Sequence, residues 1–184
     1  MKSGFHNERS DILLDLAIKY KEELQKKMLD TWFNEKYKYY YGNIWFDKLE
    51  IDSDTWNNHQ FVSVDNNGEV IGFIEYHVNR EDNSCSNLGI CNFTEDKRVI
   101  FGMDLGQALQ DIFEKYKFRK LKFSVYVGNP IEKSYDKMIK KYNGRIVGTY
   151  LKDTKCLDGE YCDRKLYEIF REDYLKSISA DGGE

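Results

Sequence analysis

Val125-Tyr-Val-Gly128-Asn129-Pro130-Ile131-Glu132-Lys-Ser-Tyr135-Asp-Lys-Met138-Ile139-Lys-Lys-Tyr142-Asn-Gly144 is the stretch on which the fold turns, because the hydrophobic period changes inside it. Leading into it, Leu121, Phe123, Val125 and Val127 alternate, the period-two pattern of a strand with one buried face. From Ile131 the apolar positions recur three and four residues apart, through Tyr135, Met138, Ile139 and Tyr142, as on an amphipathic helix. The joint carries helix-start chemistry. Asn129 is a good N-cap, Pro130 suits the first helical position, and Glu132 follows Asn129 at capping-box spacing. The spacing predicts a helix over 129–142. Capping alone accounts for Asn129, and core packing alone accounts for Tyr135.

A second junction lies upstream, in Phe93-Thr-Glu-Asp-Lys97-Arg98-Val-Ile-Phe-Gly102-Met103-Asp-Leu105-Gly-Gln-Ala-Leu109. A strand ends there, two adjacent cations follow, and a helix opens near a glycine. The helix is read from Phe101, Leu105, Ala108, Leu109, Ile112, Phe113 and Tyr116. Helix N-termini present unpaired N–H groups and partial positive charge, and glycine permits close approach, so such a joint suits a phosphate. Lys97 and Arg98 add charge-assisted donors. A merely solvated turn has the same composition.

Working outward, the centre of the chain reads as an antiparallel meander. Strands are predicted over Gln60–Asp65, Val70–Asn79 and Ser86–Phe93, with Asp65-Asn-Asn-Gly68 as the first hairpin turn. Ile44–Ile51 reads as a short irregular strand. Leu13, Leu14, Ala17, Tyr20, Leu24, Met28 and Trp32 fall near helical spacing, so Asp11 to about Tyr39 is predicted as a helix capped by Ser10 and ended by Gly42-Asn43. The run Trp32, Phe33, Tyr37, Tyr39, Tyr40, Tyr41 suits either an acceptor pocket or a helix packed on a sheet. After the helix of 129–142, strands are expected over Arg145–Lys152 and Tyr161–Arg171, turning near Asp158-Gly159. Ser177–Glu184 reads as a polar, loose tail. This order is an α+β layout, with helices packed on a mixed, mostly antiparallel sheet.

At 184 residues with a single proline and no linker-like segment, the chain reads as one domain over 1–184. Hydrophobic residues at 41% and charged residues at 33% indicate a globular protein rather than a disordered one. The net charge of -4 argues against a nucleic-acid partner. No stretch is apolar and long enough for a membrane helix, and the N-terminus lacks a signal-peptide core, so a cytoplasmic location is expected. Cys85, Cys91, Cys156 and Cys162 match no zinc spacing; reduced thiols are expected, with neither a disulfide framework nor a metal.

The two junctions, in this order, resemble those of the GCN5-related N-acetyltransferase superfamily. Its motif Gln/Arg-x-x-Gly-x-Gly/Ala, followed shortly by Leu, is matched by Lys97-x-x-Ile100-x-Gly102 and Leu105, with Lys for Gln/Arg and Ile100 for the first Gly. Its second motif, a strand, an Asn, a helix with a Tyr, then a Gly, is matched by Asn129, Tyr135 and Gly144. Asp158-Gly159-Glu160-Tyr161-Cys162-Asp163 resembles the stretch at its C-terminal hairpin. The resemblance covers about Val62 to Arg171; the opening helical region, residues 10–42, departs from the family and is expected to shape the acceptor site.

The resemblance implies a sheet whose two central strands splay apart, and acetyl-CoA as co-substrate with no metal. The pantetheine arm would bond to the strands ending at Asn92-Phe93 and Val127, with a backbone N–H in Cys91–Phe93 facing the oxyanion. Lys97, Arg98, Gly102 and Met103 would meet the phosphates, and Asn129 would stand beside the arm. Tyr135, protonated at neutral pH, would donate to the leaving thiolate. For the base, Glu75 is the only carboxylate deep within a central strand, and His77 shares its face; a solvated surface couple is the competing reading. The implied reaction is transfer of an acetyl group to a primary amine of a small molecule or peptide, by direct attack in a ternary complex. The alternatives are a non-catalytic acyl-CoA- or partner-binding module on the same fold, and an RNA-directed acetyltransferase, which the net charge disfavours. Whether two copies form a homodimer is left open.

Overall fold

A computed structural model describes residues 14–32, 34–39, 49–51, 56–156 and 158–181. Its centre is the meander: β2 (Asn58–Val64), β3 (Val70–Asn79) and β4 (Ser84–Asn92), antiparallel in turn. The first turn closes as its residues require. Gly68 takes φ 82°, and the Asp65 carboxylate accepts the N–H groups of Asn67 and Glu69, both at 2.9 Å. A helix, α2 (Arg98–Gln110), then carries the chain across to β5 (Lys120–Tyr126), which lies parallel to β4. Helix α3 (Glu132–Lys141) leads to the hairpin of β6 (Arg145–Lys155) and β7 (Tyr161–Phe170), and α4 (Arg171–Asp181) follows. With β1 (Leu14–Leu16) at the other edge, the sheet order is β1-β2-β3-β4-β5-β7-β6; among the described residues β4 and β5 are the only parallel neighbours. This is the α+β, mostly antiparallel architecture that the sequence predicts.

Alternation along the strands divides the core in two. On β3, Ile74, Tyr76 and Val78 join one cluster with Phe101 and Leu109 of α2, Phe113 of the π-helical turn Asp111–Lys115 that continues it, Tyr135 and Ile139 of α3, and Tyr174 of α4. Phe73, on the opposite face, joins Val62, Leu24, Met28 and Cys91. Helix α1 (Lys21–Leu29) covers this second cluster.

Three expectations are corrected. The opening segment is not one helix: β1, a 3-10 turn at Ala17–Tyr20, α1 and a 3-10 turn at Glu35–Tyr37 replace it. Leu14–Leu16 add to the open edge of β2, Leu14 opposite Ser63 and Leu16 opposite Phe61; a sheet edge supplies backbone partners that local helix propensity cannot outweigh. Ser10, Asp11–Leu13, Phe33, Tyr40, Tyr41, Gly42-Asn43 and most of the strand expected at Ile44–Ile51 lie outside the described residues. Second, Ser177–Asp181, expected as a loose tail, continue α4. Tyr174 anchors that helix. Its ring stacks on Phe113 at 4.7 Å and lies 4.9 Å from Tyr142, and its hydroxyl donates to Glu114 at 3.1 Å. Residues 182–184 lie outside the described residues. Third, the four thiols are not all reduced. Cys156 and Cys162 form a disulfide, Cα to Cα 6.4 Å, while Cys85 and Cys91 are free and buried. The reason is local. The turn at Gly159, with Gly159 N–H bonded to Cys156 O at 3.0 Å, folds the chain back so that both cysteines close one hairpin end.

Candidate active site

Among the described residues the parallel pair β4 and β5 is joined in a ladder only at its start, Ser84 opposite Lys120 and Cys85 opposite Leu121. Beyond that, β4 is bulged. Glu75 of β3 faces Gly89 and His77 faces Ser86, which leaves both Asn87 and Leu88 against Tyr76. Asn87 takes φ 55°, a conformation that Asn tolerates better than most residues. The bulge bends β4 away from β5, and a cavity of about 340 Å³ opens in the gap. Asn87–Ile90 form one wall and Ser124–Tyr126 the other, with Tyr39, Glu75, Asn129 and Tyr135 at its margins. Here the facing edges of two strands have no sheet neighbour among the described residues, so their main-chain groups are available to an extended ligand.

A second cavity, about 360 Å³, lies between α2 and α3. Gly102, Leu105 and Gly106 line it from α2, and Ser134, Lys137 and Lys141 from α3. A Cβ added at Gly102 or Gly106 would meet nothing within 4 Å, so the glycines keep a trough open there. Ile131 and Tyr135 border both cavities.

Tyr135 therefore stands at the junction. It is 3% exposed, its ring edge-on to Phe123 at 5.0 Å and to Tyr167 at 6.0 Å. Among the described residues no hydrogen bond engages its hydroxyl. Burial pushes its ionisation well above the ordinary phenol range, so the group stays protonated. The cap expected at Asn129 is corrected: α3 opens at Glu132 with Ile131 as its N-cap and no side-chain cap, because Asn129 spends its side chain on Ile131 N–H at 3.1 Å in the turn before the helix, and Glu132 reaches back past Asn129 to Gly128 N–H at 3.1 Å. Glu75 borders the strand-gap cavity, and Gln60 donates to its carboxylate at 3.3 Å. Gly89 makes room for it: a Cβ there would lie 3.0 Å from Glu75 Oε1. His77 is occupied elsewhere, its Nδ1 2.9 Å from Asn58 Oδ1.

The other predicted residues are placed differently. Cys91 faces the second core cluster, and burial pushes its thiol up to about 12. Asn92 accepts from Thr94 N–H at 3.1 Å, and Phe93 N–H is bonded to Ile71 O at 2.9 Å, so that donor is already used. The strand backbone lining the gap lies upstream, at Asn87–Ile90. Lys97 turns to Asp65 at 2.6 Å and to Glu69 at 3.6 Å. Hydrogen bonding from Lys97, with the N–H groups of Glu69 and Asn67, holds the Asp65 carboxyl down at about 2. Arg98 opens α2 and is exposed; Met103 is 48% exposed and borders neither cavity. Gly102 lines the second cavity. Asn87, Gly106, Lys137 and Lys141 also line the two cavities and do not stand out as site residues in the sequence. The lysines were legible only as the polar stripe of α3, and Asn87 only as a residue tolerant of positive φ. Among the described residues no cluster of His, Cys, Asp or Glu suits a metal, and no helix is long and apolar enough to cross a membrane.

No protein-family model matches the chain, and no curated protein matches it. Solved structures do. A mutant of spermidine N-acetyltransferase SpeG from Vibrio cholerae superposes with a TM-score of 0.55 at 20% identity, over 66% of this chain and 70% of that one. A chimera of that enzyme with hSSAT gives 0.56 at 22% identity, over 66% and 74%. The spermidine/spermine N-acetyltransferase SpeG from the same organism, in complex with manganese ions, gives 0.56 at 20% identity, over 66% and 70%. The likeness is one of fold: the chain has the fold of the GCN5-related N-acetyltransferases.

Proposed function

We propose that this protein is an acetyl-CoA-dependent N-acetyltransferase that acts on a primary amine of a small molecule or peptide by direct attack in a ternary complex. The observation that carries this reading is the gap between β4 and β5, which offers unpaired strand edges, opens toward the α2–α3 trough and has a protonated phenol at the junction. A pantetheine arm is an extended chain of amides, and two strand edges suit it. The phosphates would lie in the α2–α3 trough, against Gly102, Gly106, Lys137 and Lys141, with Arg98 near the helix start.

The donor supplies a thioester carbonyl carbon for the amine to attack. The chain's own groups then have three tasks. Main-chain N–H groups of Asn87–Ile90 would meet the oxyanion; Phe93 N–H is spent. The Tyr135 hydroxyl would protonate the departing thiolate. Glu75, on the wall of the same cavity, would take the amine proton directly or through water. Tyr39, from the opening segment, lines the same cavity as Glu75, and a carboxylate in a pocket with tyrosine rings would suit a cationic amine.

The test is binding followed by turnover. Acetyl-CoA is expected to raise the melting temperature and to bind by calorimetry, and an amine panel that includes spermidine and lysine peptides is expected to yield an acceptor, read as released thiol. No binding at millimolar acetyl-CoA overturns the donor assignment. Tight binding with no turnover across the panel favours the non-catalytic module, for which the capture of Lys97 by Asp65 is the supporting observation.

A further inference from the structure

We propose that Lys165 is a positioning residue, which clamps α3 to β7 and so sets where the Tyr135 hydroxyl stands between the two cavities. The proposal rests on the role given to Tyr135 above. Lys165 lies on β7, opposite Val125 of β5. Its ammonium reaches Glu132 at 3.1 Å and both Asp136 oxygens at 2.8 and 3.0 Å, with 16% of the side chain exposed. Glu132 and Asp136 are one turn apart on α3 and bracket Tyr135. Without a cation between them, two carboxylates on one helix face repel.

Each carboxylate has a second partner. Glu132 accepts from Gly128 N–H, in the turn leaving β5. Asp136 accepts from the Tyr167 hydroxyl at 2.9 Å. The Tyr167 ring stacks on Phe123 at 5.0 Å, and both rings form the wall against which Tyr135 stands edge-on. One ammonium thus joins the turn before α3, the first turns of α3 and the aromatic wall. An exposed lysine–carboxylate pair contributes little, but a mostly covered ammonium shared between two carboxylates that are themselves hydrogen-bonded holds a geometry. Since no described residue bonds the Tyr135 hydroxyl, its position is inherited from this scaffold.

The experiment places 3-fluorotyrosine site-specifically at position 135 and follows its fluorine resonance with and without acetyl-CoA. The expected result is one sharp line in the parent, a shifted or broadened line in Lys165→Met, and recovery of the parent line in Lys165→Arg. An unchanged line in Lys165→Met overturns the clamp. A parent line blind to saturating acetyl-CoA, with Lys165→Met still disturbing it, removes the catalytic role of Tyr135 while the clamp stands, so the two failures are separable. With an acceptor in hand, Lys165→Met is expected to lower kcat about tenfold, to leave KM for acetyl-CoA within about twofold, and to add nothing in a Tyr135→Phe background. Equal losses in both backgrounds overturn the proposal. Should Lys165→Met not fold, Asp136→Asn keeps the shape and the Tyr167 hydrogen bond but removes the charge, and its line must move in the same way.

Discussion

Replacing Tyr135 by Phe separates the proposed catalysis from packing, because the ring has packing partners and the hydroxyl has no hydrogen-bond partner among the described residues. The ring lies against Phe123 and Tyr167 in the main core cluster. The hydroxyl has no hydrogen-bond partner among the described residues, so its removal orphans no described group. Folding stability should therefore move by less than about 1 kcal/mol, the net worth of one ordinary hydrogen bond. Tyr135→Ala removes the ring as well and should cost about 3–5 kcal/mol, as for other large core aromatics. If the hydroxyl protonates the leaving thiolate, Tyr135→Phe should lower kcat by about 10²-fold or more, with KM for acetyl-CoA nearly unchanged. The assay is thiol release under saturating donor, paired with urea unfolding of both variants. Full activity in Tyr135→Phe, with Tyr135→Ala merely unstable, would refute the reasoning: Tyr135 would then be core, and Tyr142, at the C-cap of the same helix, would be the next group to test.

Four more outcomes follow from the geometry. Gly102→Glu should abolish acetyl-CoA binding by calorimetry while barely moving the melting temperature, because a Cβ there meets nothing but would put a carboxylate in the trough; retained binding would move the phosphates elsewhere. Asp65 is depressed to about 2, chiefly by Lys97, so its stabilisation is present above the ordinary Asp range near 3.8 and is lost as pH falls through about 2; Lys97→Met should flatten the acid limb of unfolding between those values, and an unchanged limb would show the pair to be inconsequential. Tyr76, Tyr135, Tyr167 and Tyr174 are all held protonated mainly by burial; the unfolded chain ionises them near pH ~10, so stability should be intact below that and fall steeply above it, and a flat profile to pH 11 would contradict their burial. Reducing Cys156–Cys162, or Cys156→Ser, should cost about 2 kcal/mol for so short a loop, read as a lower urea midpoint under reductant; no change would mean the hairpin holds without it.

Much of the fold was legible because it rests on periodicity. Phe123, Val125, Ile139 and Tyr142 announce a strand and a helix wherever they occur, since a strand has two faces and a helix one apolar stripe. Asn129 and Glu132 announce a turn into a helix because their side chains bond nearby backbone, Ile131 N–H and Gly128 N–H, although the helix itself opens only at Glu132. The opening segment was misread for the same reason: Leu14 and Leu16 suit a helix locally, and only the open edge of β2, distant in sequence, draws them into the sheet. Helix α4 was misread because Tyr174 finds Phe113 and Tyr142 only after the chain has folded.

The candidate site divides along the same line. By itself the sequence determined the order of elements from β2 to β7, the two junctions, and the nomination of Tyr135, Asn129, Glu75 and Gly102, all of which border the cavities. Those signals are local, carried by residues within a turn or two of one another. Tertiary structure alone decided that Lys97 is spent on Asp65, that Phe93 N–H is spent on Ile71, and that Lys137 and Lys141 line the trough. A cation's partner, and a donor's acceptor, are set by which strand or helix arrives beside it, and the residues that meet here lie on separate elements.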